Sequence, residues 1–203
     1  VGGRLIGKAF AGKETLKSVI FSESGSYPIE NEAFSGCDGL TSVVIPSSVS
    51  SVGAYAFYNC ANLTNVTIKP AVKSLGERAF GLCWKFTDLV IEDSNSTLEL
   101  AADVFISDPI KNVYIGRNLE YATNSSPFMS NKTISSVSFG EKITGIGNSL
   151  FKNCSTLTEI SIPDNVVTID SDAFAGCSAL SNITIDAADD TLAIQSKNTS
   201  LEN

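Results

Sequence analysis

Ala33-Phe34-Ser35-Gly36-Cys37-Asp38-Gly39-Leu40-Thr41-Ser42-Val43-Val44-Ile45-Pro46 decides the fold, because the chain keeps rewriting it. It returns as Ala56-Phe57-Tyr58-Asn59-Cys60-Ala61-Asn62-Leu63-Thr64-Asn65-Val66-Thr67-Ile68 and as Leu150-Phe151-Lys152-Asn153-Cys154-Ser155-Thr156-Leu157-Thr158-Glu159-Ile160-Ser161-Ile162-Pro163. Eight phenylalanines anchor the copies: Phe10, Phe34, Phe57, Phe80, Phe105, Phe128, Phe151 and Phe174, spaced 24, 23, 23, 25, 23, 23 and 23 residues apart. A fixed period of this length marks a solenoid, in which each coil buries its apolar edge on its neighbours and no central core exists.

Each copy divides into three parts. A short turn around Ala-Phe is expected to be helical and held by packing, since Phe is a weak helix former. A strand follows, with inward residues such as Leu40, Val43 and Ile45, and alternation places Ser42 and Val44 outside. A return segment carries two more apolar residues, as in Val49 and Val52 or Val72 and Leu75. Gly53, Gly76 and Gly147 then open the next turn, where positive φ would be useful, and Pro46 and Pro163 end their strands at the sheet margin. The strands should stack in parallel and in register, with the anchor phenylalanines forming a spine.

The L-x-x-V-x-I core places the coils with leucine-rich repeats. The fold class expected is α/β: a leucine-rich repeat solenoid with a parallel sheet of about eight short strands and ~23-residue coils, one domain over residues 1–203. Irregular repeats occupy 92–128, where Ser94-Asn95-Ser96-Thr97 is inserted and Asp108-Pro109 replaces the usual Cys, and the pattern degenerates over 186–203. The chain opens in mid-repeat at Leu5-Ile6, which suggests a piece of something longer.

Five cysteines (Cys37, Cys60, Cys83, Cys154 and Cys177) each fall three residues after an anchor Phe, where the other coils place Lys13, Asp108 and Asn131. An odd count on an inward column reads as buried free thiols. The rival is a crosslink between adjacent coils, Cys37 to Cys60 or Cys60 to Cys83, which parallel side-chain vectors disfavour.

Across Ala-Phe-x-x-Cys-x-x-Leu-Thr-x-Val-x-Ile-Pro-x-x-Val-x-x-Ile-Gly, over residues 5–194, the chain resembles the BspA-like leucine-rich repeats of bacterial and protozoan surface proteins. The resemblance implies a right-handed curved solenoid, an extracellular or cell-surface location and adhesion to host or neighbouring-cell proteins. It brings no catalytic residues.

The chemistry narrows in the same direction. Histidine is absent, which removes Ser-His-Asp and Cys-His nucleophile systems and His-ligated metals. The net charge of −8 shows no basic patch for nucleic acid, and no apolar run is long enough for direct membrane insertion. Acidic residues cluster at Glu92, Asp93, Glu99 and Asp103 and at Asp186, Asp189 and Asp190. They could serve as a paired-carboxylate site or hold Ca²⁺, but the D-x-D-x-D-G spacing is missing. No enzyme activity and no cofactor are expected.

What remains is surface. One outward column runs through Ser18, Ser42, Asn65, Asp88, Asn112, Ser136, Glu159 and Asn182, and another through Ile20, Val44, Thr67, Val90, Tyr114, Ser138, Ser161 and Thr184. Such β-formers can serve the sheet alone; they also offer a docking face. The partner-binding candidates are Asp88, Val90, Asn112, Tyr114, Ser138, Glu159 and Ser161, together with Trp84. Trp84 is expected to cover the edge of the enlarged repeat, or, if exposed, to anchor a partner. The expected function is a non-catalytic, monomeric module that binds a protein or glycoprotein ligand through the sheet face. The alternative is a spacer or stalk that displays another domain.

Overall fold

The computed structural model describes residues 7–122, 124–186 and 193–194. The readings at Leu5-Ile6, at Asp189 and Asp190, and over most of 186–203 lie outside the described residues.

Two parallel sheets face each other across the coils, and no helix occurs among the described residues. The front sheet carries β2 (Ser42–Ile45), β4 (Asn65–Ile68), β6 (Asp88–Ile91), β8 (Asn112–Arg117) and β10 (Ser136–Lys142), hydrogen-bonded in that order. Its line continues as a separate pair, β12 (Glu159–Ile162) and β14 (Asn182–Ile185). The back sheet, which the sequence reading missed, is built by the return segments: β1 (Tyr27–Ile29), β3 (Val49–Val52), β5 (Ser74–Leu75), β7 (Leu98–Leu100) and β9 (Leu119–Glu120). A second group follows, β11 (Gly145–Ile146), β13 (Thr168–Ile169) and β15 (Ala193–Ile194). Seven front strands form rather than eight, because residues 18–20 of the first coil make no strand.

The register is one coil per step. Val43, Val66, Leu89 and Val113 align across β2, β4, β6 and β8, as do Ile45, Ile68, Ile91 and Ile115. All eight of these are buried. The anchor rings stack through all eight coils, with centroids 5.1 Å apart at Phe34–Phe57 and 6.1 Å at Phe80–Phe105.

The Ala-Phe turn is a third ladder, not a helix. Residues two before and two after the anchor take positive φ, as at Tyr55 (57°) and Asn59 (54°), Arg78 (50°) and Leu82 (60°). Left-handed and right-handed residues then alternate, so alternate N–H groups point along the solenoid axis. Tyr55, Phe57 and Asn59 donate to the carbonyls of Glu77, Ala79 and Gly81 in the next coil. The residues between them donate locally, as Ala56 does to Gly53 and Tyr58 to Tyr55. An α-helix would spend all of these donors within the coil and leave none to bind the next. The glycines expected to need positive φ do not adopt it: Gly53 and Gly76 are absent from the positive-φ set. They are required by close approach instead, since a Cβ on Gly76 would lie 2.5 Å from the Ala54 nitrogen and one on Gly53 would lie 2.7 Å from that of Asn31.

The five thiols are free and buried. Each donates to the carbonyl of the preceding anchor: Cys37 to Phe10, Cys60 to Phe34, Cys83 to Phe57, Cys154 to Phe128 and Cys177 to Phe151, at 3.1–3.2 Å. The column is therefore a hydrogen-bonded line as well as a row of small apolar groups.

Around the coil of Phe128 the ladders fail while the ring stack continues, at 5.7 Å to Phe105 and 5.5 Å to Phe151. Two prolines account for much of this. Pro127 forces Ser126 out of the α-regions, and Ser126, unlike its counterparts Tyr55 and Arg78, has no positive φ. The turn ladder from Asp103, Phe105 and Ser107 to this coil is accordingly absent among the described residues. Pro163 stands where Lys69, Glu92 and Asp186 donate to Ile45, Ile68 and Ile162 of the preceding coil. Its missing N–H helps to separate β12 from β10, so this proline is not the harmless strand end that the sequence suggests. Pro46 is harmless, because the coil before it offers no strand.

Side chains stitch the gap that results. Asn118 accepts the N–H groups of Thr144 and Gly145 at 2.8 and 3.1 Å, where β9 and β11 do not pair. The Ser126 hydroxyl donates to Ser149 O, the Asn165 amide to Gly140 O and Thr156 Oγ1 to Ile134 O.

Candidate functional site

The outward columns of the front sheet form one continuous surface from β2 to β10. Register places Asp88 beside Asn112, which lies beside Ser136; Val90 lies beside Tyr114, and Tyr114 beside Ser138. Five of the candidate residues, Asp88, Val90, Asn112, Tyr114 and Ser138, thus come together on three adjacent strands. Glu159 and Ser161 lie on β12, across the break, next to Asn182 and Thr184.

Several of these side chains are already engaged. The Asn112 amide donates to Asp88 Oδ1 at 2.7 Å, while Thr87 Oγ1 donates to the other Asp88 oxygen. The Tyr114 hydroxyl donates to Asp93 Oδ2 at 2.6 Å. That hydrogen bond, followed by burial and the nearby acidic charge, pushes the phenol up to about 12. Tyr114 therefore presents the edge of its ring and little of its polar end. Asp93 also accepts the Glu141 N–H at 2.8 Å, so one carboxylate ties β6, β8 and β10 together at their ends. Within the acidic cluster, no sign singled Asp93 out as this tie.

The break in the front sheet opens a groove of about 340 Å³, lined by Ser136, Val137, Glu159, Ser161, Asn182 and Thr184 among others. The inward residues Val137 and Phe139 of β10 are only half-buried, whereas their β8 partners Val113 and Ile115 are 2% and 0% exposed. Glu159 is exposed at this groove and contributes its negative charge.

Trp84 lies outside the front strands. It is 56% exposed, in the loop between Cys83 and β6. The acidic cluster is dispersed. Glu92 pairs with Lys69 at the end of β6, Glu99 sits on the back sheet in β7, and Asp103 pairs with Arg78 on the turn side at 3.0 Å. These carboxylates do not converge on one cleft, and among the described residues no group of three or more metal-ligating side chains forms.

Two acidic or basic side chains are buried among the described residues: Arg117, which the sequence reading missed, and Asp108, which it placed on the inward thiol column without drawing the consequence. Arg117 is fully buried and donates to the carbonyls of Pro70, Val72 and Lys69, two coils away. Burial lowers its pKa to about 10. The alternation Val113–Ile115–Arg117 marks it as inward-facing, a signal that its charge obscured. Asp108, 4% exposed, stands in the thiol column, and burial raises its pKa to about 9.

The comparisons agree with this architecture. The BspA type leucine rich repeat region matches residues 5–126 and 121–200, in six copies. A leucine-rich repeat protein from Bacteroides ovatus superimposes with a TM-score of 0.55 at 26% identity, over 76% of this chain and 40% of that one. The Treponema pallidum leucine-rich repeat protein gives 0.53 at 22% identity, over 71% and 69%. The pneumococcal vaccine antigen PcpA gives 0.50 at 16% identity, over 77% and 43%. This chain thus spans well under half the length of the Bacteroides protein. No curated protein matches. Among the described residues no helix is long and apolar enough to cross a membrane. A ~23-residue period, parallel strands in register, a stacked anchor spine and a family match over nearly the whole chain make this protein a member of the BspA-type leucine-rich repeat family.

Proposed function

We propose that the chain is a non-catalytic binding module of a cell-surface or secreted protein, and that it holds a protein partner on the outer face of the front sheet. The observation that carries this reading is the face itself. Five hydrogen-bonded strands, in register except for a shift between Phe139 and Lys142 at the end of β10, present Val44 (50% exposed) and short polar side chains as one rigid surface, which ends at a groove beside Glu159. Extended sheet faces of this kind are what solenoids offer to macromolecules, and a pre-organised backbone lowers the ordering cost of binding. PcpA, a vaccine antigen, shares the fold, which accords with a surface location.

The test is a binding screen of the purified chain against extracellular-matrix and cell-surface proteins, with Val90→Arg and Glu159→Lys run in parallel and their folding checked. Saturable binding weakened by either substitution supports the reading. Binding indifferent to both removes the sheet face from it. No binding to any of them favours a spacer that displays another domain.

A further inference from the structure

The failed turn ladder leaves a cleft of about 540 Å³ between the turns of Phe105 and Phe128, on a different side of the coil from the front sheet's outer face. This lies within the range of small-ligand pockets, about 300–1,000 Å³. Its chemistry is specific. In the coils of Phe10, Phe34, Phe57, Phe80 and Phe151 the anchor N–H and the N–H two residues later donate to the next coil; here, among the described residues, the N–H groups of Phe105 and Ser107 make no such bond. The carbonyls of Pro127 and Met129, which would receive them, accept no backbone bond either. Two backbone donors and two backbone acceptors, all on residues that line the cleft, are therefore left without a backbone partner.

The side chains divide in the same way. Asn131 and Thr133 are consumed by bonds within and between coils. Ser107, Ser125 and Ser130 also line the cleft, and no hydrogen bond within the described chain uses their hydroxyls. Ile106 and Met129, 36% and 40% exposed, provide apolar contact. The charged lining is Asp103, already paired with Arg78, and Lys132; Asp108 also borders the cleft, 4% exposed, and burial raises it to about 9, which keeps it neutral near pH 7. The cleft thus carries little net charge and suits neither an anion nor a metal ion.

We propose that this cleft binds a neutral saccharide. Each sugar hydroxyl is both donor and acceptor and can bridge an unpaired N–H on one side to an unpaired carbonyl on the other. The C–H faces of the ring suit Ile106 and Met129. Unpaired polar groups of this kind discriminate strongly for ligands that complete them. The site is independent of the front-sheet face, and the proposal does not rest on a protein partner there.

The experiment is saturation-transfer NMR on the intact chain with glucose, galactose, mannose, N-acetylglucosamine, lactose and maltose as separate probes. At least one sugar is expected to show transfer. Ser130→Trp, which fills the cleft, should abolish it. Pro127→Ala, which frees Ser126 to rebuild the turn ladder, should weaken binding by about tenfold or more, the factor that corresponds to roughly 1.4 kcal/mol, while the melting temperature holds or rises. Glu159→Lys should leave the signal unchanged. No transfer from any of the six sugars overturns the proposal, as does transfer that survives both Ser130→Trp and Pro127→Ala. Transfer lost in Glu159→Lys moves the sugar to the front sheet and overturns the proposal equally.

Discussion

The carboxylate of Asp108 accepts the backbone N–H of Cys83 at 2.7 Å, while its second oxygen is buried without a partner. In the cysteine coils this column position supplies a thiol donor to the preceding anchor carbonyl, a role that an ionised carboxylate cannot fill and a carboxylic acid can. Burial accordingly raises the group to about 9. Because the folded pKa lies above the unfolded one, the extra stability of the protonated form is complete below the ordinary carboxylate range. It declines as pH rises, and is lost once pH passes about 9. Asp108→Asn retains an acceptor, adds a donor and removes the titration. It should melt higher than the parent at pH 8 and flatten the dependence of melting temperature on pH between 5 and 9. Parallel melting curves for the two proteins across that range would contradict this account.

The ring spine predicts a gradient of sensitivity. Phe57 has stacked neighbours on both sides, at 5.1 and 5.2 Å, and is fully buried. Phe10 has one, at 5.4 Å, and is 40% exposed. Phe57→Ala should cost about 3–5 kcal/mol and Phe10→Ala markedly less. Urea melts of both variants decide the point, and equal losses would count against stacking as the source of the energy.

The thiols should be chemically silent in the folded chain. Burial raises Cys154 to about 12 and also pushes Cys37 and Cys177 up. The neighbouring Cys60 thiol, and then burial, push Cys83 up. Thiolate is the reactive form. An aromatic disulfide reagent at pH 8 should titrate few thiols in the native protein and all five in denaturant. Rapid native reaction at Cys60 or Cys83 would show that the column opens.

Arg117 offers a test of buried charge. Its guanidinium serves the carbonyls of Lys69, Pro70 and Val72. Arg117→Met keeps the apolar volume but leaves those carbonyls short of a partner, so about 2–4 kcal/mol of destabilisation is expected. Denaturant melts that match the parent would mean that Met packing compensates and that the three hydrogen bonds add nothing net.

The front sheet was legible in the sequence because one residue type recurs per coil. Val43, Val66 and Leu89 could be aligned by eye, and the outward columns containing Asp88 and Tyr114 followed from alternation. The back sheet was not legible, since Val49 and Val52 are three apart and show no alternation. The turn was misread because its left-handed positions hold Tyr55, Arg78 and Leu82, residues that do not announce positive φ. Asp88, Val90, Asn112, Tyr114 and Ser138 lie in register as alternation suggests, whereas Glu159 and Ser161 stand beyond the break. The engagement of these side chains was invisible, however: nothing local links Tyr114 to Asp93, 21 residues earlier. Pro127 and Pro163 were in plain view, but their effect depends on which neighbouring coil needed the lost geometry.

The coil of Phe128 keeps its front pairing to the coil before it, through β8 and β10, and its back pairing to the coil after it, through β11 and β13, but no ladder runs continuously through it, so the two lengths of backbone on either side do not template each other fully. In repeat arrays cooperativity passes through nearest-neighbour contacts. A weakened junction therefore sets where unfolding can stop as well as where it starts. Amide exchange should find residues 124–146 opening on their own, with slower exchange at Val66 and Leu89 on one side and at Ile160 on the other. On that view the chain carries a built-in boundary: stress or heat applied to one end need not erase the folded sheet at the other.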